Sequence, residues 1–309
     1  MKIVLFGHQN WGLEAIRTLI ETKHELVYVY THPIDMDKHE KIWYDSISSE
    51  CNKNGISCEE KISLTENDIK KIQELNPDLI LSMGWRRLLP SSIFQIPKYG
   101  TINFHDSLIP KYKGFAPINW SIINNETETG LTAHYIDETA DTGDIIYQEK
   151  VSIESDETAF DVYQKLLKFT QPMLKKILDD IEKNNINPIS QKTLPSGFFC
   201  SRRFPNDGKI DWTKNRLEIY NLIRALSDPY PNSFFYLNDT KIYIKKAWLP
   251  LDDYRGPPGR LCAISDDGII VTCGKNSKEN QSILISEIKV NEKIMNPKEY
   301  FTNLWIDLS

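Results

Sequence analysis

The alternation of apolar runs with a helical pattern in residues 2–31 is the feature that most limits the fold of this chain. Lys2–Phe6 and Glu25–Thr31 are short runs rich in apolar and β-branched residues, as in buried strands. The segment between them has helical spacing, with apolar residues on one face at Leu13, Ile16, Leu19 and Ile20. This order predicts a parallel sheet covered by helices, with ligands bound beyond the carboxyl ends of its strands.

The following segments add further strands and a helix to this α/β pattern, and after residue 200 the pattern changes to short strands. Further strands are predicted at Asp78–Ser82, Thr101–His105, Leu131–Asp137 and Ile145–Val151, followed by a long amphipathic helix over Ala159–Ile181. Beyond a break at Pro195–Gly197, a helix over Leu217–Leu226 precedes short strands at Ser233–Tyr236, Lys241–Lys246, Arg260–Ile264, Ile269–Cys273 and Ile283–Val290. We therefore predict a Rossmann-like, mostly parallel α/β domain over residues 1–200 and a small β-rich barrel or sandwich over residues 201–309.

Composition and charge favour a cytoplasmic enzyme. The 309 residues carry a net charge of −6, so the chain lacks the excess of basic residues that is common in nucleic-acid-binding proteins. The N-terminus has no signal-peptide core, and no stretch approaches the ~18 apolar residues of a membrane span, so we expect neither a nucleic-acid nor a membrane partner. Five cysteines without Cys-x-x-Cys spacing and scattered histidines suggest neither disulfides nor a metal site.

Polar groups are concentrated at the end of one predicted strand. Alternation along Thr101–His105 puts the amide of Asn103 and the imidazole of His105 on the same face. A Ser-Leu-x-Pro segment then stops the strand, and an Asp-Thr-Gly-Asp turn begins at Asp141. Alone, Asn-x-His is also typical of a structural histidine, and Asp141 is also typical of a turn.

Together these segments resemble the folate-dependent formyltransferase family. Asn-x-His, Ser-Leu-x-Pro, Gly-x-x-Pro and Asp-x-Gly-Asp-Ile agree in order and spacing, and the resemblance continues through Arg202–Trp212 over nearly the whole chain. It implies an OB-like C-terminal domain and N10-formyltetrahydrofolate as co-substrate. It also implies that Asn103, His105 and Asp141 are the catalytic residues, with no metal.

The reaction gives each member of this trio a task. A primary amine attacks the formyl carbon, and the carbonyl oxygen gains negative charge that an N–H of Asn103 can stabilise. The amine nitrogen must lose a proton, which His105 can carry at neutral pH. Asp141 can orient the imidazole and favour its protonated form.

The resemblance also implies which residues bind the folate. The segment after the strand at Asp78–Ser82 lies where the family's pteridine meets backbone groups. Met83, Gly84 and Trp85 are therefore predicted to bind the co-substrate, together with Asp137. Gly84 permits close approach, and Trp85 is also typical of a core residue.

The acceptor is assigned to the first turn and to nearby cations. Gly7–Gly12 lacks the third glycine of the dinucleotide fingerprint, so NAD is not indicated. Either this turn faces a ligand with its N–H groups, or it is a tight connection in which Gly7 takes an unusual backbone angle. His8 and Trp11 are predicted to contact the acceptor. The diphosphate of the acceptor is predicted to be bound by Lys111, Lys113 and Arg202. The alternative is that these three are solvated surface cations. The polar loop at residues 32–41 is typical of a solvated loop or of an acceptor edge.

Two stretches, Arg-Arg-x-Pro-x-Asp-Gly and Lys-Tyr-x-Gly-x-Ala-Pro, look most like the amino-sugar branch, notably the enzyme that formylates UDP-4-amino-4-deoxyarabinose. That enzyme's dehydrogenase module does not follow residue 309, so we expect a stand-alone homodimer that formylates a dTDP- or UDP-linked amino-dideoxysugar for surface glycans. Methionyl-tRNA formyltransferase is the alternative, disfavoured by the acidic balance and by the absence of a basic insertion near residues 31–50. A non-catalytic folate- or nucleotide-binding regulator is a third, disfavoured by the trio.

Overall fold

A computed structural model of the chain describes residues 1–34, 42–275 and 281–309. Its first strands are β1 (Lys2–Gly7), β2 (Glu25–Thr31), β3 (Cys58–Glu60), β4 (Leu79–Met83), β5 (Thr101–His105), β6 (Lys113–Gly114), β7 (Glu128–Tyr135), β8 (Ile145–Ser152) and β9 (Phe199–Cys200). A seven-stranded sheet has the order β3-β2-β1-β4-β5-β7-β8. Pairing is parallel from β3 to β5 and antiparallel at β7 and β8. The short strands β6 and β9 pair with each other in a separate ladder.

Helices cover both faces of the large sheet. In chain order they are α1 (Gln9–Ile20), α2 (Ile47–Lys53), α3 (Glu66–Leu75), α4 (Ser91–Phe94), α5 (Pro117–Ile123), α6 (Ala159–Glu182) and, beyond the sheet, α7 (Arg216–Ala225). One face of the sheet packs against α1, α5 and α6, and the other against α3 and α4. Thr158 and Asp161 form a reciprocal capping box that fixes the start of the long helix α6.

The C-terminal part is an antiparallel sheet with its own core. Its strands are β10 (Ser233–Leu237), β11 (Thr240–Trp248), β12 (Leu261–Ser265), β13 (Gly268–Thr272), β14 (Ser282–Val290) and β15 (Lys293–Met295). They pair in the order β10-β11-β14-β13-β12, with β15 on β14. Helix α7 covers this sheet, and Phe235 and Phe301 are fully buried beneath it. The predicted fold class, a mostly parallel α/β domain followed by a β-rich domain, is confirmed.

Strand β7 differs from its prediction at both ends. It covers Glu128–Tyr135, whereas the pattern predicted Leu131–Asp137. The Asp137 carboxylate accepts hydrogen bonds from the Thr139 N–H at 3.2 Å and from the Thr142 hydroxyl at 2.6 Å. These local bonds favour a turn over a ladder, so the chain leaves the sheet before Asp137.

The first turn is tight because two glycines meet. Gly7 does not have the unusual backbone angle considered for it, since its φ is not positive, whereas Gln9 has a φ of 54°. A Cβ on Gly12 would lie 2.8 Å from the backbone of Gly7 and 2.5 Å from Cδ1 of Ile47. Glycine at position 12 therefore permits α1 to approach the end of β1.

We expect Gly12→Ala to destabilise the fold by about 1–3 kcal/mol, the usual cost of overpacking, because the Gly7 backbone cannot move aside. Gly256→Ala is the matched control, since the nearest atom to a Cβ there is Oγ1 of Thr272 at 3.2 Å, so the overlap is smaller than at Gly12. Urea unfolding of both variants measures the difference. Equal stability of the two variants would contradict this account of the turn.

Candidate active site

A cavity of about 520 Å³ opens at the carboxyl ends of β4 and β5. Two chain segments line this cavity. They are Gly84–Leu89, which follows β4, and Ile136–Asp141, which follows β7. Trp11 of α1 and Tyr163 of α6 contribute aromatic rings. Residues beyond the sheet, including Arg202 and Tyr230, complete the lining. Ligands bound here would contact both parts of the chain.

Asn103, His105 and Asp141 converge on this cavity. Oδ1 of Asp141 lies 3.4 Å from Nδ2 of Asn103 and 3.6 Å from Nδ1 of His105. His134, on the neighbouring strand β7, is also close, with Nε2 3.4 Å from the same oxygen. The other oxygen, Oδ2, accepts the backbone N–H of Gly114 at 2.8 Å. The structure thus brings the predicted trio together and adds His134.

Strand register explains this convergence. Asn103 lies opposite His134, and His105 lies opposite Thr132, in the antiparallel pairing of β5 with β7. Ile102 and Phe104, which alternate with the polar pair, belong to the core beneath α1 and α6. The apolar face of β5 therefore anchors the strand and directs its polar face to the cavity.

His105 is a buried imidazole with a defined tautomer. Its Nε2–H donates to the Tyr112 carbonyl at 2.8 Å, so Nδ1 is the atom that can exchange a proton. Burial opposes the charged form, but the Asp141 and Asp106 carboxylates and the Tyr112 carbonyl outweigh it, and the pKa of His105 is raised. The charged form of His105 would direct an Nδ1–H towards Asp141.

Asp141 keeps its negative charge despite burial. Burial alone would raise its pKa, but the charge of His105 and the Gly114 N–H lower it far below the ordinary value. Its backbone has a φ of 55°, a conformation that Asp tolerates better than most residues. Gln191 stabilises this turn because its Nε2 donates to the carbonyls of Asp141 at 2.9 Å and Gly143 at 2.7 Å. Sequence reasoning did not identify Gln191, which lies far along the chain.

Both N–H bonds of Asn103 have acceptors. One is directed to Nε2 of His134 at 3.1 Å, and the other to Asp141 at the longer distance of 3.4 Å. His134 can accept because its Nδ1–H donates to the Tyr135 carbonyl at 2.7 Å. The contact with Asp141 is the weaker of the two, so it is the one that a ligand oxygen can replace most easily.

The residues predicted to bind folate separate into two groups. Gly84, Trp85 and Asp137 line the cavity. Met83 does not line it and is fully buried in the core, where its carbonyl accepts the His8 N–H at 3.0 Å. Trp85 combines both roles considered for it, since its ring stacks on His32 at 3.8 Å while it also lines the cavity. The indole N–H of Trp85 is buried and has no acceptor within the described ranges.

The residues predicted to bind the acceptor also separate. Trp11 and Arg202 line the cavity. His8 lies instead in a small neighbouring pocket, buried, with Nε2 3.2 Å from the Tyr44 hydroxyl. Lys111 and Lys113 are not part of the cavity wall, and Nζ of Lys113 lies 4.4 Å from the Phe199 ring centroid. Of the loop at residues 32–41, positions 35–41 lie outside the described residues.

Among the residues that the structure describes, no group of three or more His, Cys, Asp or Glu side chains could hold a metal ion. Within the same ranges, no helix has the length and apolar character needed to cross a membrane.

Comparison with known proteins gives consistent matches over most of the chain. Residues 1–178 match the formyl transferase family, and residues 203–304 match the formyl transferase C-terminal domain. The chain is 36% identical over 296 residues to the bifunctional polymyxin resistance protein ArnA of Wigglesworthia glossinidia brevipalpis. This match covers 95% of this chain but only 44% of that protein. It is 32% identical over 302 residues to methionyl-tRNA formyltransferase of Alkaliphilus oremlandii, covering 97% of this chain and 96% of that protein.

The fold is similar to that of a crystal structure of the N-formyltransferase from Helicobacter canadensis in complex with folinic acid and dTDP-3-aminofucose. The TM-score is 0.71 at 24% identity, and the match covers 92% of this chain and 98% of that one. At this identity the likeness concerns the fold.

We expect Asp141→Asn to lower the pKa of His105, because the carboxylate that stabilises the imidazolium is then neutral. NMR titration of the His105 ring, with its signal assigned by loss in His105→Ala, measures the change. Asp144→Asn, which removes a nearby acidic group outside the cavity wall, is the control and should leave the titration unchanged. A His105 titration that is the same in Asp141→Asn and the wild type would disprove the electrostatic coupling.

Proposed function

Given that the chain belongs to the folate-dependent formyltransferase family, we propose that it transfers a formyl group from N10-formyltetrahydrofolate to the amino group of a nucleotide-linked amino-dideoxysugar. The observation that carries the proposal is the convergence of Asn103 and His105 on Asp141 at the cavity. Binding alone does not require this trio, so a non-catalytic regulator is disfavoured. We further propose a cytoplasmic homodimer whose product enters surface glycan synthesis.

The residues of the cavity fit a folate. Gly84–Leu89 and Ile136–Ala140 offer chain segments on the cavity wall, where the polar edge of a pteridine could meet backbone N–H and carbonyl groups. The buried indole N–H of Trp85 has no acceptor in the described part of the chain, and a ligand atom would supply one. When bound, the folate supplies the formyl group. Gly84, Trp85 and Asp137 are the residues proposed to hold it.

The trio can assist each charge change of the transfer. Asn103 can give up its 3.4 Å contact with Asp141 and donate that N–H to the formyl oxygen as negative charge develops. His105 can receive the amine proton at Nδ1 only, because Nε2–H is engaged by Tyr112. From Nδ1 the proton can pass to the folate nitrogen that leaves as its bond to the formyl carbon breaks. Asp141 stabilises the resulting imidazolium through its charge. Gln191 and Gly114 hold Asp141 in place for this task.

Two observations support a nucleotide sugar as acceptor. The net charge of −6 disfavours a tRNA, whose phosphates attract basic surfaces. The crystal structure of similar fold from Helicobacter canadensis is a complex with dTDP-3-aminofucose, a nucleotide-linked amino sugar, and folinic acid. At the cavity wall, Arg202 is the proposed partner of the diphosphate. Methionyl-tRNA formyltransferase is the second candidate, because that relative matches this chain over nearly its full length.

We expect His105→Ala to lower turnover by roughly 10²–10⁴-fold, the usual range for loss of a general acid–base group. Folate affinity should change little, since the ring acts on the transferred proton. Steady-state kinetics and isothermal titration with 5-formyltetrahydrofolate measure the two effects. Near-normal turnover in a correctly folded variant would refute the role.

Asn103→Ala should reduce kcat by roughly 10²–10³-fold, as expected for loss of one donor to a developing oxyanion. Folate affinity should again be nearly intact. A variant that loses folate affinity while its kcat is preserved would make Asn103 a binding residue instead.

The acceptor itself is tested by comparing dTDP-3-aminofucose, UDP-4-amino-4-deoxyarabinose and initiator methionyl-tRNA as formyl acceptors at matched ionic strength. We expect formylation of a nucleotide sugar, with a raised acceptor KM in Arg202→Ala because a charged partner of the diphosphate is lost. Lys111→Ala is the matched control, since Lys111 is absent from the cavity wall. Formylation of the tRNA alone would refute the sugar assignment, and equal KM values for both variants would refute the role of Arg202.

A further inference from the structure

Asp106 follows the catalytic strand but has no part in the mechanism above. It comes directly after His105 and lines the cavity. Its carboxylate interacts electrostatically with His105 and Asp141, so it lies beside the trio. It also interacts with Tyr163 of α6, on the side of the sheet that packs against α1 and α6. Asp106, the trio and Tyr163 therefore line the same cavity.

The two cavity carboxylates differ in their partners. Asp141 contacts Asn103, His105, His134 and the Gly114 N–H. In the described part of the chain, no other side chain forms a hydrogen bond with the Asp106 carboxylate. Burial and the charge of Asp141 raise the pKa of Asp106, and the opposing effect of His105 does not cancel the rise. A partly buried carboxylate with so few partners is stabilised by a cation.

Aromatic rings form the wall on the same side. Trp11 and Tyr163 meet edge to face with centroids 5.0 Å apart, and Trp43 and Tyr163 do the same at 5.0 Å. All three residues line the cavity. Such rings offer apolar surface to the C–H groups and methyl of a deoxysugar, and their faces attract a cation.

We propose that the Asp106 carboxylate binds the amino group of the acceptor as its ammonium ion, with the sugar ring against Trp11 and Trp43. This inference rests on the proposed function and extends it, because it names the group that selects an amine. The acceptor nitrogen is then held next to His105, where it must lose a proton to react. A hydroxyl in place of the amine carries no charge and forms a weaker bond to the carboxylate.

The experiment compares matched ligand pairs that differ only in the amine. dTDP-3-aminofucose is paired with dTDP-fucose, and UDP-4-amino-4-deoxyarabinose with UDP-arabinose. Binding is measured by isothermal titration without folate, on the wild type, Asp106→Asn and Asp106→Ser. Asp144→Asn is the matched control, because it neutralises a carboxylate that is close to the trio in sequence but lies outside the cavity wall.

We expect the wild type to prefer the amino member of at least one pair and Asp106→Asn to lose that preference. The acceptor KM should rise by roughly tenfold to a hundredfold, the loss expected for a charge-assisted hydrogen bond. Affinity for the hydroxyl member and for 5-formyltetrahydrofolate should stay the same, which a merely structural role of Asp106 would not predict. Asp144→Asn should behave like the wild type.

Three outcomes would overturn the proposal. One is an unchanged amine preference in folded Asp106→Asn or Asp106→Ser, and another is an equal loss of affinity for both members of each pair. A wild type that formylates one of the sugars but shows no amine preference in binding is the third, and it needs no variant. If the wild type formylates only methionyl-tRNA, the proposed function fails separately. Asp106→Asn is then compared on that amine, where a raised KM supports the role of Asp106 and an unchanged KM refutes it.

Discussion

The negative charge of Asp141 is the constraint on which the arrangement of the site depends. A buried carboxylate is costly unless it is paired and hydrogen-bonded, and here it is matched by the His105 imidazole, the Asn103 amide and the Gly114 N–H. The first two come from β5, and His134 of β7 holds the Asn103 amide by accepting its other N–H. The strands must therefore keep their register, and the turn that carries Asp141 must stay in its left-handed conformation, for the charge to remain compensated.

Much of the fold could be predicted because strongly periodic segments determine their own structure. The pattern located β5 and most of α6, whose apolar residues pack on one face. The short strand β3 and helix α2 were missed, since so few residues carry little periodicity. Helix α3 was missed despite a readable signal, the capping box formed by Thr65 and Asp68. Strands β6 and β9 depend on each other across 85 residues of chain, and no local pattern reports such a pairing.

The residues of the candidate site could be predicted where they belong to a motif, but not where tertiary contacts determine their position. The trio follows from the resemblance, and the structure places Asn103 and His105 each within 3.6 Å of the Asp141 carboxylate. Met83, His8 and the two lysines were assigned by proximity in sequence, but a strand sends alternate side chains to opposite faces and Met83 faces the core. Gln191 reaches Asp141 from 50 positions along the chain, so only the folded structure could identify it.

The connection between the two sheets has a consequence for fragments of this protein. Gln191 and strand β9 both lie in this connection. Gln191 bonds to the backbone of Asp141, and β9 pairs with β6, whose Gly114 donates its N–H to the Asp141 carboxylate. A Cβ on Gly114 would lie 2.6 Å from the Cys200 carbonyl, so the ladder is fitted closely. The connection therefore holds the turn at Asp141 in place, in addition to joining the two sheets. A proteolytic cut after α6 would leave the seven-stranded sheet intact while the acidic turn lost its support, and a well-folded fragment of this kind would be chemically inert.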